Sequence, residues 1–466
     1  MVPNTPWRQA PARRRIKVLF PSGMLGSGLS AEAVKRGVLL GAEAIAIDGG
    51  STDSGPYYLG AAVAKTASSA VADDLRILLV ASQGAGIPLI VGSCGTNGTD
   101  RGVDWVARMV EEIASEEHLS FAMACIYSEQ SPNDVNKALA EDRIVELAPP
   151  RPLTVAIVNS CEHIVGVMGH EPIAAALGNG ATVVLAGRAT DTAMVAAVAL
   201  RNGLPPGPTW HAAKTVECGA QCTTNPLSGP VLVEIDDDGF TVESANPEAS
   251  CTPTSVAAHM LYENADPFRM REPSGTLVTS DASYIAIDER RVRVEGSRFE
   301  AASPSTIKLE GSAISGYETV SMVGIRDPSI LRFIDEWADG LKSVLDKSVG
   351  HLLGLDQNYR IDLRRYGSDG VLGELDPASE APREALILVK IRASDQQTAT
   401  AIAKIANPLL LHMPLPAMTH LPSFAFPFSP AEIERGPSYE FVLNHSVIVA
   451  SESELFRTAV REVRNG

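Results

Sequence analysis

Ala44-Ile45-Ala46-Ile47-Asp48-Gly49-Gly50-Ser51-Thr52-Asp53 decides how this chain folds. A short apolar run stops abruptly in two carboxylates, two glycines and two hydroxyls. Five further stretches of the first 190 residues repeat the pattern. Lys17–Phe20 runs into Pro21-Ser22-Gly23, Pro88–Val91 into Gly92-Ser93-Cys94-Gly95-Thr96-Asn97, and Phe121–Ile126 into Tyr127-Ser128-Glu129-Gln130. Val155–Val158 runs into Asn159-Ser160-Cys161-Glu162-His163, and Val183–Ala186 into Gly187-Arg188-Ala189-Thr190-Asp191. Near-continuous apolar strands separated by helical stretches fit an α/β fold with a mostly parallel sheet covered on both faces by flanking helices. Ligands of such sheets bind at the carboxyl ends of the strands, where these polar bursts lie.

The intervening stretches carry helix signals. Ser30 is placed to cap a helix reaching about Gly41, and residues 71–82 and 101–116 follow as two more. Ser131-Pro132-Asn133-Asp134 offers a capping hydroxyl, a proline at the first helical position and an acid at the third, and Glu171-Pro172 uses the same device. A helix over Thr192–Leu200 ends in the turn-forming Asn202-Gly203-Leu204-Pro205-Pro206-Gly207-Pro208. This gives four parts. Residues 1–15 are an Arg- and Pro-rich disordered tail without the apolar core of a signal peptide. Residues 16–207 are an α/β domain carrying the site, and 208–325 a β-rich segment packed on it. Residues 326–466 form a C-terminal α+β unit whose βαββαβ order is ferredoxin-like.

Composition bounds the function. At 466 residues the chain expects two or three domains, and 45% hydrophobic with 20% charged residues is ordinary for a globular protein. A net charge of −17 repels phosphate backbones and anionic lipid, which argues against nucleic-acid and membrane partners. Six cysteines are too sparse for a disulfide scaffold, so a reduced cytoplasmic protein is expected. Enzymes of this class are commonly symmetric, and a homo-oligomer is expected, with the Phe- and Pro-rich Leu421–Tyr439 segment at its interface.

The strand ends supply the candidate chemistry. Asp48 and Asp53, with Ser51 between them, suit proton transfer, a Mg2+-type divalent cation or the hydroxyls of a substrate. Gly26 belongs to Gly23-Met24-Leu25-Gly26-Ser27-Gly28, a loop whose backbone N–H groups could approach an anion, although its spacing is GxxGxG and not GxGxxG. Ser93, Cys94 and Asn97 face a ligand in this reading, but Cys94 has no partner histidine by spacing and suits a structural thiol better than a nucleophile. Glu162 and His163 form an acid/base pair at the fifth strand end. Arg188 offers a bidentate fork for a carboxylate, with Asp191 orienting it or capping the next helix. Glu217 and Gln221 add a carboxylate and an amide downstream. Cys218 and Cys222 have three residues between them and no second pair follows, so zinc held by cysteines is not expected.

At Gly187-Arg188-Ala189-Thr190-Asp191 and Val216-Glu217-Cys218-Gly219-Ala220-Gln221 the sequence resembles the AtuA family of acyclic terpene utilisation proteins, long treated as a domain of unknown function. Gly169-His170-Glu171-Pro172-Ile173 through Val184, and Val256 through Tyr262-Glu263-Asn264-Ala265-Asp266-Pro267, support the likeness. It covers much of residues 15 to about 325. Cys222-Thr223-Thr224-Asn225 stands where other members look Gly-rich. The resemblance implies catabolism of acyclic terpenes and of branched or polycarboxylic acids beside CoA-dependent steps, and hence hydratase, dehydratase or lyase chemistry on a small carboxylic acid or its acyl thioester.

In that expectation Arg188 binds the carboxylate, Asp48 or Asp53 handles a proton or cation, and His163 or Glu162 is the partner acid/base. The Gly23–Gly28 loop followed by Asp48 motivates an NAD(P)-dependent oxidoreductase as the alternative. The absence of an unmistakable nucleophile motivates another, a non-catalytic subunit or binding module joined to a separately encoded small subunit.

Overall fold

The computed structural model describes residues 14–354, 358–377 and 381–464. The expected disordered tail therefore lies outside the described residues, apart from Arg14 and Arg15. Arg14 pairs with Asp237, and Arg15 begins the first strand. Two compact units emerge, one running up to Ala313 and resuming at Phe441, the other Ile314–Glu440.

The first unit opens with four strands separated by helices. Strand β1 (Arg15–Phe20) is followed by helix α1 (Ala31–Leu39), β2 (Ala44–Asp48) by the pair α2 (Tyr57–Ala61) and α3 (Ser68–Ala85), and β3 (Leu89–Gly92) by α4 (Asp100–Glu116), which leads into β4 (Phe121–Tyr127). Ser30 caps α1 and Thr99 caps α4, each accepting a backbone N–H of the first turn. The chain continues through α5 (Pro132–Ala140), β5 (Ile144–Glu146), α6 (Val155–Ser160), β6 (His163–Val167), α7 (Glu171–Gly178), β7 (Val183–Ala186), α8 (Ala193–Arg201) and α9 (Pro206–Val216). Ser131 caps α5 as its sequence signals require.

Strands β1, β2, β3, β7 and β4 lie side by side in that order, all parallel. Alternation along them assigns the two faces. Leu19, Ile45, Ile47, Leu89 and Val91 meet residues of α3 and α4 such as Leu75, Leu78 and Val106. Val18, Phe20, Ala44, Ala46 and Ile90 meet Val195, Val198 and Val216 of α8 and α9. Burial on both sides is why these segments read as unbroken apolar runs.

One expected strand is a helix. Val155–Val158 lies in α6, where the Thr154 hydroxyl accepts the N–H of Ile157. Four apolar residues carry no period that separates strand from helix, so the capping threonine decides. The strand comes after it: β6 leaves the main sheet and pairs antiparallel with Lys308–Ser312. The parallel array therefore has five members, not six.

Antiparallel strands complete this sheet. After α9 come β8 (Val231–Asp236), β9 (Gly239–Ser244), α10 (Pro253–His259), β10 (Arg269–Glu272), β11 (Gly275–Val278), β12 (Ser283–Ala286), β13 (Arg291–Glu295) and β14 (Arg298–Ala301). Strands β8, β9, β13 and β12 extend the sheet beyond β1, while β10, β11 and β14 form a small sheet of their own. The fold is thus mixed α/β with a large mixed sheet.

The second unit takes part of β15 (Thr306–Ile325), then α11 (Pro328–Leu331), α12 (Ile334–Leu353), β16 (Tyr359–Tyr366), β17 (Ala385–Ala393), α13 (Gln396–His412) and part of β18 (Glu432–Ile448). Its sheet order is β16-β17-β15-β18, a ferredoxin-like βαββαβ unit closed over Trp337, Leu341, Ile387 and Ile402. The Phe/Pro segment, expected at an oligomer interface, folds partly into this core. Phe424 is buried and meets the Trp337 ring edge-on at 5.7 Å, whereas Phe428 stays exposed. Beyond β18, strand β19 (Arg457–Val463) returns to the main sheet beside β4. Among the described residues no helix is long and apolar enough to cross a membrane.

Candidate active site

Asp48 ends β2 opposite Gly92 of β3, at the carboxyl edge of the parallel strands. The chain there is tightly constrained. A Cβ on Gly49 would stand 2.5 Å from the Ser93 carbonyl oxygen, so only glycine lets the loop cross β3. Ser93 and Thr96 hold φ of 41° and 69°, left-handed conformations costly for residues with side chains and common at functional sites. Asp48 is 2% exposed. Its Oδ2 accepts the Gly50 N–H at 2.8 Å, while the buried Oδ1 finds no hydrogen-bond partner among the described residues. Burial, reinforced by the nearby Asp191 charge, pushes the Asp48 carboxyl well above the usual carboxylate range, against the opposing pull of Arg188.

Arg188, at the end of β7, is fixed from all sides. Its N–H donates to Ser128 Oγ at 2.7 Å and to the Gly98 carbonyl at 3.1 Å. Its guanidinium donates from Nε to Glu310 at 3.2 Å, and from its two terminal nitrogens to Ser93 Oγ at 3.0 Å and Thr52 Oγ1 at 3.2 Å. The fork expected to grip a substrate carboxylate is filled from within. Arg188 instead pairs with Glu310 and biases Asp48 and Asp191 electrostatically.

Gly98 makes this packing obligatory, having φ of +66° and lying so close that a Cβ would sit 2.3 Å from the Arg188 nitrogen. Gly98→Ala is expected to cost about 3 kcal/mol or more, from left-handed strain and the displaced Arg188 backbone together. Urea unfolding checks this, and a loss below about 1 kcal/mol would show that the loop has room to move.

A cavity of about 940 Å³ opens over this edge. Asp48, Ser51, Asp53, Asp191, Glu217 and Gln221 line it together, with Met24, Lys65, Cys218, Tyr262 and Glu263. Asp48 and Glu217 are buried, while Asp53, Gln221 and Lys65 are exposed. Glu217, capping the end of α9, pairs with Lys214 one turn earlier. Burial, opposed by Lys214 and helped by Asp191, pushes Glu217 up to about 8. Glu272 accepts a hydrogen bond from Thr192 Oγ1 at 2.7 Å, and burial raises it to about 7. Glu217 therefore keeps most of its proton near pH 7, and the site is less anionic than its residue count suggests.

That shift carries a stability signature. The fold keeps the Glu217 proton to about pH 8, whereas the unfolded chain releases it near 4.5, so stability is full below 4.5 and falls as pH rises to 8. The slope from one proton is at most about 1.4 kcal/mol per pH unit. Glu217→Gln is expected to flatten the decline of melting temperature between pH 5 and 8 by that one-proton share; an unaltered profile would mean that Glu217 ionises normally.

Other expected residues lie elsewhere. The Gly26, Gly28 and Leu29 N–H groups all donate to the Asp74 carboxylate, at 2.8, 3.3 and 2.7 Å. The glycine loop thus holds an anion supplied by the protein itself, at the very groups a dinucleotide phosphate would need. Cys94 is fully buried in the helix-facing core, its thiol pushed well up by burial. Asn97 donates to the Val63 and Gly95 carbonyls and accepts from Thr99, holding the loop before α4. Neither lines the cavity. Ser93 backs it through Arg188. His163 and Glu162 line a different cavity with Asp100, Gln130 and Arg457, where His163 Nδ1 stands 2.5 Å from Glu129 Oε1. Their separation follows from β6 leaving the main sheet.

Lys214, Glu272, Glu310, Glu263 and Lys65 are additions. Lys214 was signalled by its i,i+3 spacing to Glu217 on one helix face, and Tyr262-Glu263 lies inside a stretch that carries the family resemblance. Nothing in the local sequence marks Glu310. Among the described residues no three ligand atoms of the cavity's acids and cysteine lie within 4.8 Å of one another.

The family model described as "Acyclic terpene utilisation family protein AtuA" matches residues 67–428. No curated protein and no solved structure matches the chain. Three stretches that carry the resemblance, at 187–191, 216–221 and 256–267, each deliver a residue to the cavity.

Proposed function

The chain belongs to the AtuA family, and we propose that it is an enzyme acting on a small carboxylic acid or its acyl thioester, by hydration, dehydration or C–C cleavage. The observation that carries this reading is Asp48, a carboxyl that burial pushes well above the usual carboxylate range, at the carboxyl edge of a parallel sheet where it lines a cavity of about 940 Å³. A buried neutral acid is poised to protonate a leaving hydroxyl or a carbanion as charge develops on it. Glu217, at about 8, sits near physiological pH, where a group both takes and returns a proton efficiently, and Lys214 beside it steadies its ionised form. The substrate's own carboxylate is assigned to Lys65, which lines the cavity and among the described residues has no ion pair. Arg188 acts through Asp48 as a positioning residue. The enzyme is proposed to work as a cytoplasmic homo-oligomer.

The test is a panel of 2- and 3-hydroxy acids, their unsaturated counterparts and the matching CoA thioesters, incubated with the protein in D2O and followed by mass spectrometry. Solvent deuterium at carbon, or gain or loss of water, is expected with at least one member. A panel returned unchanged would favour a non-catalytic subunit instead.

A further inference from the structure

Away from the cavity, His170 and Glu171 begin α7, and Glu452 lies in the turn between β18 and β19. One ligand atom from each falls within 4.8 Å of the others. Three of their atoms, His170 Nδ1, Glu171 Oε2 and Glu452 Oε2, are shut off from solvent with no hydrogen-bond partner among the described residues. Glu452 is held from the side by Ser305 Oγ at 3.4 Å, and the His170 ring packs edge-on against Trp210 at 5.8 Å. Among the described residues neither glutamate has a lysine or arginine partner; the nearest basic group is His170, whose Nδ1 stands 3.0 Å from Glu171 Oε1.

Two carboxyl groups facing each other out of water must either share a proton, as burial and Glu452 favour by pushing Glu171 up to about 9, or hold a cation between them. Burying three lone-pair donors without partners is costly in the same direction. Both costs disappear when a cation fills the gap. An imidazole nitrogen with two carboxylate oxygens suits a first-row transition ion, whereas Mg2+ and Ca2+ prefer oxygen throughout. Small side-chain rotations would bring the three atoms to the roughly 2.0–2.2 Å of such an ion.

We propose that His170, Glu171 and Glu452 bind a divalent first-row transition ion that ties the C-terminal turn to the start of α7. The site is distinct from the proposed catalytic cavity and does not depend on it. The full chain, stripped with chelator and titrated with ZnCl2 or MnCl2 in a calorimeter, is expected to bind one ion and to melt at higher temperature, while MgCl2 at equal concentration leaves both unchanged. Glu452→Gln and His170→Gln are each expected to weaken binding by more than the roughly 10–100-fold that loss of a supporting partner costs. X-ray absorption of the zinc-loaded wild type is expected to show nitrogen and oxygen neighbours only. That spectrum needs no variant to fold. Failure of both ions to bind, sulfur in the zinc shell, or full affinity in both variants would overturn the assignment.

Discussion

Asp48→Asn is expected to lower turnover by about 10²- to 10⁴-fold, the range a single general acid supplies, while leaving the fold intact. The two side chains are nearly isosteric, and the asparagine carbonyl can still accept the Gly50 N–H that Oδ2 accepts at 2.8 Å. The substitution also removes a carboxyl that burial and Asp191 already disfavour as an anion. Stability should therefore hold or rise. The discriminating pair of measurements is kcat/KM on the substrate found with the acid panel and the melting temperature of the same preparation. Retained turnover would show that the proton comes from elsewhere in the cavity.

Arg188→Met is expected to destabilise the protein by about 3–5 kcal/mol, the cost of leaving one member of a buried ion pair alone. Glu310 is 5% exposed and would keep only Lys308 as a cation partner, at 2.8 Å. Ser93 and Thr52 would lose the donors that hold them, and Asp191 would lose the cation that most favours its ionised form. The double variant Arg188→Met/Glu310→Leu is expected to recover much of the loss, because it removes both buried charges together. A side chain gripping substrate carboxylate from an otherwise free position behaves in the opposite way: its loss abolishes binding and leaves urea unfolding unchanged. Equilibrium unfolding of both variants separates the two roles.

Much of this was legible from local sequence, and the failures share a cause. The β1, β2, β3, β4 and β7 segments announce themselves because burial on both faces leaves no polar interruptions. Asp48, Asp191 and Glu217 could be picked out because a carboxylate at a strand or helix end, among glycines and hydroxyls, has no packing purpose. Val155–Val158 misled because four apolar residues suit either state, and the Thr154 cap carried the answer. His163 followed that error out of the cavity. The role of Arg188 was hidden for another reason. Its partner Glu310 lies 122 residues away on a strand with no local signature, so the ion pair exists only once the chain has folded. Asp74, filling the Gly26–Leu29 loop from α3, was hidden in the same way.

Infrared difference spectroscopy of wild type against Asp48→Asn at pH 7, with no substrate present, tests the proton on Asp48 directly. A carboxylic-acid carbonyl band in the wild type that vanishes in the variant is the predicted result. Loss of an ionised-carboxylate band instead would mean that Asp48 is already an anion at rest, and the cavity would then lack the acid on which the proposed reaction depends.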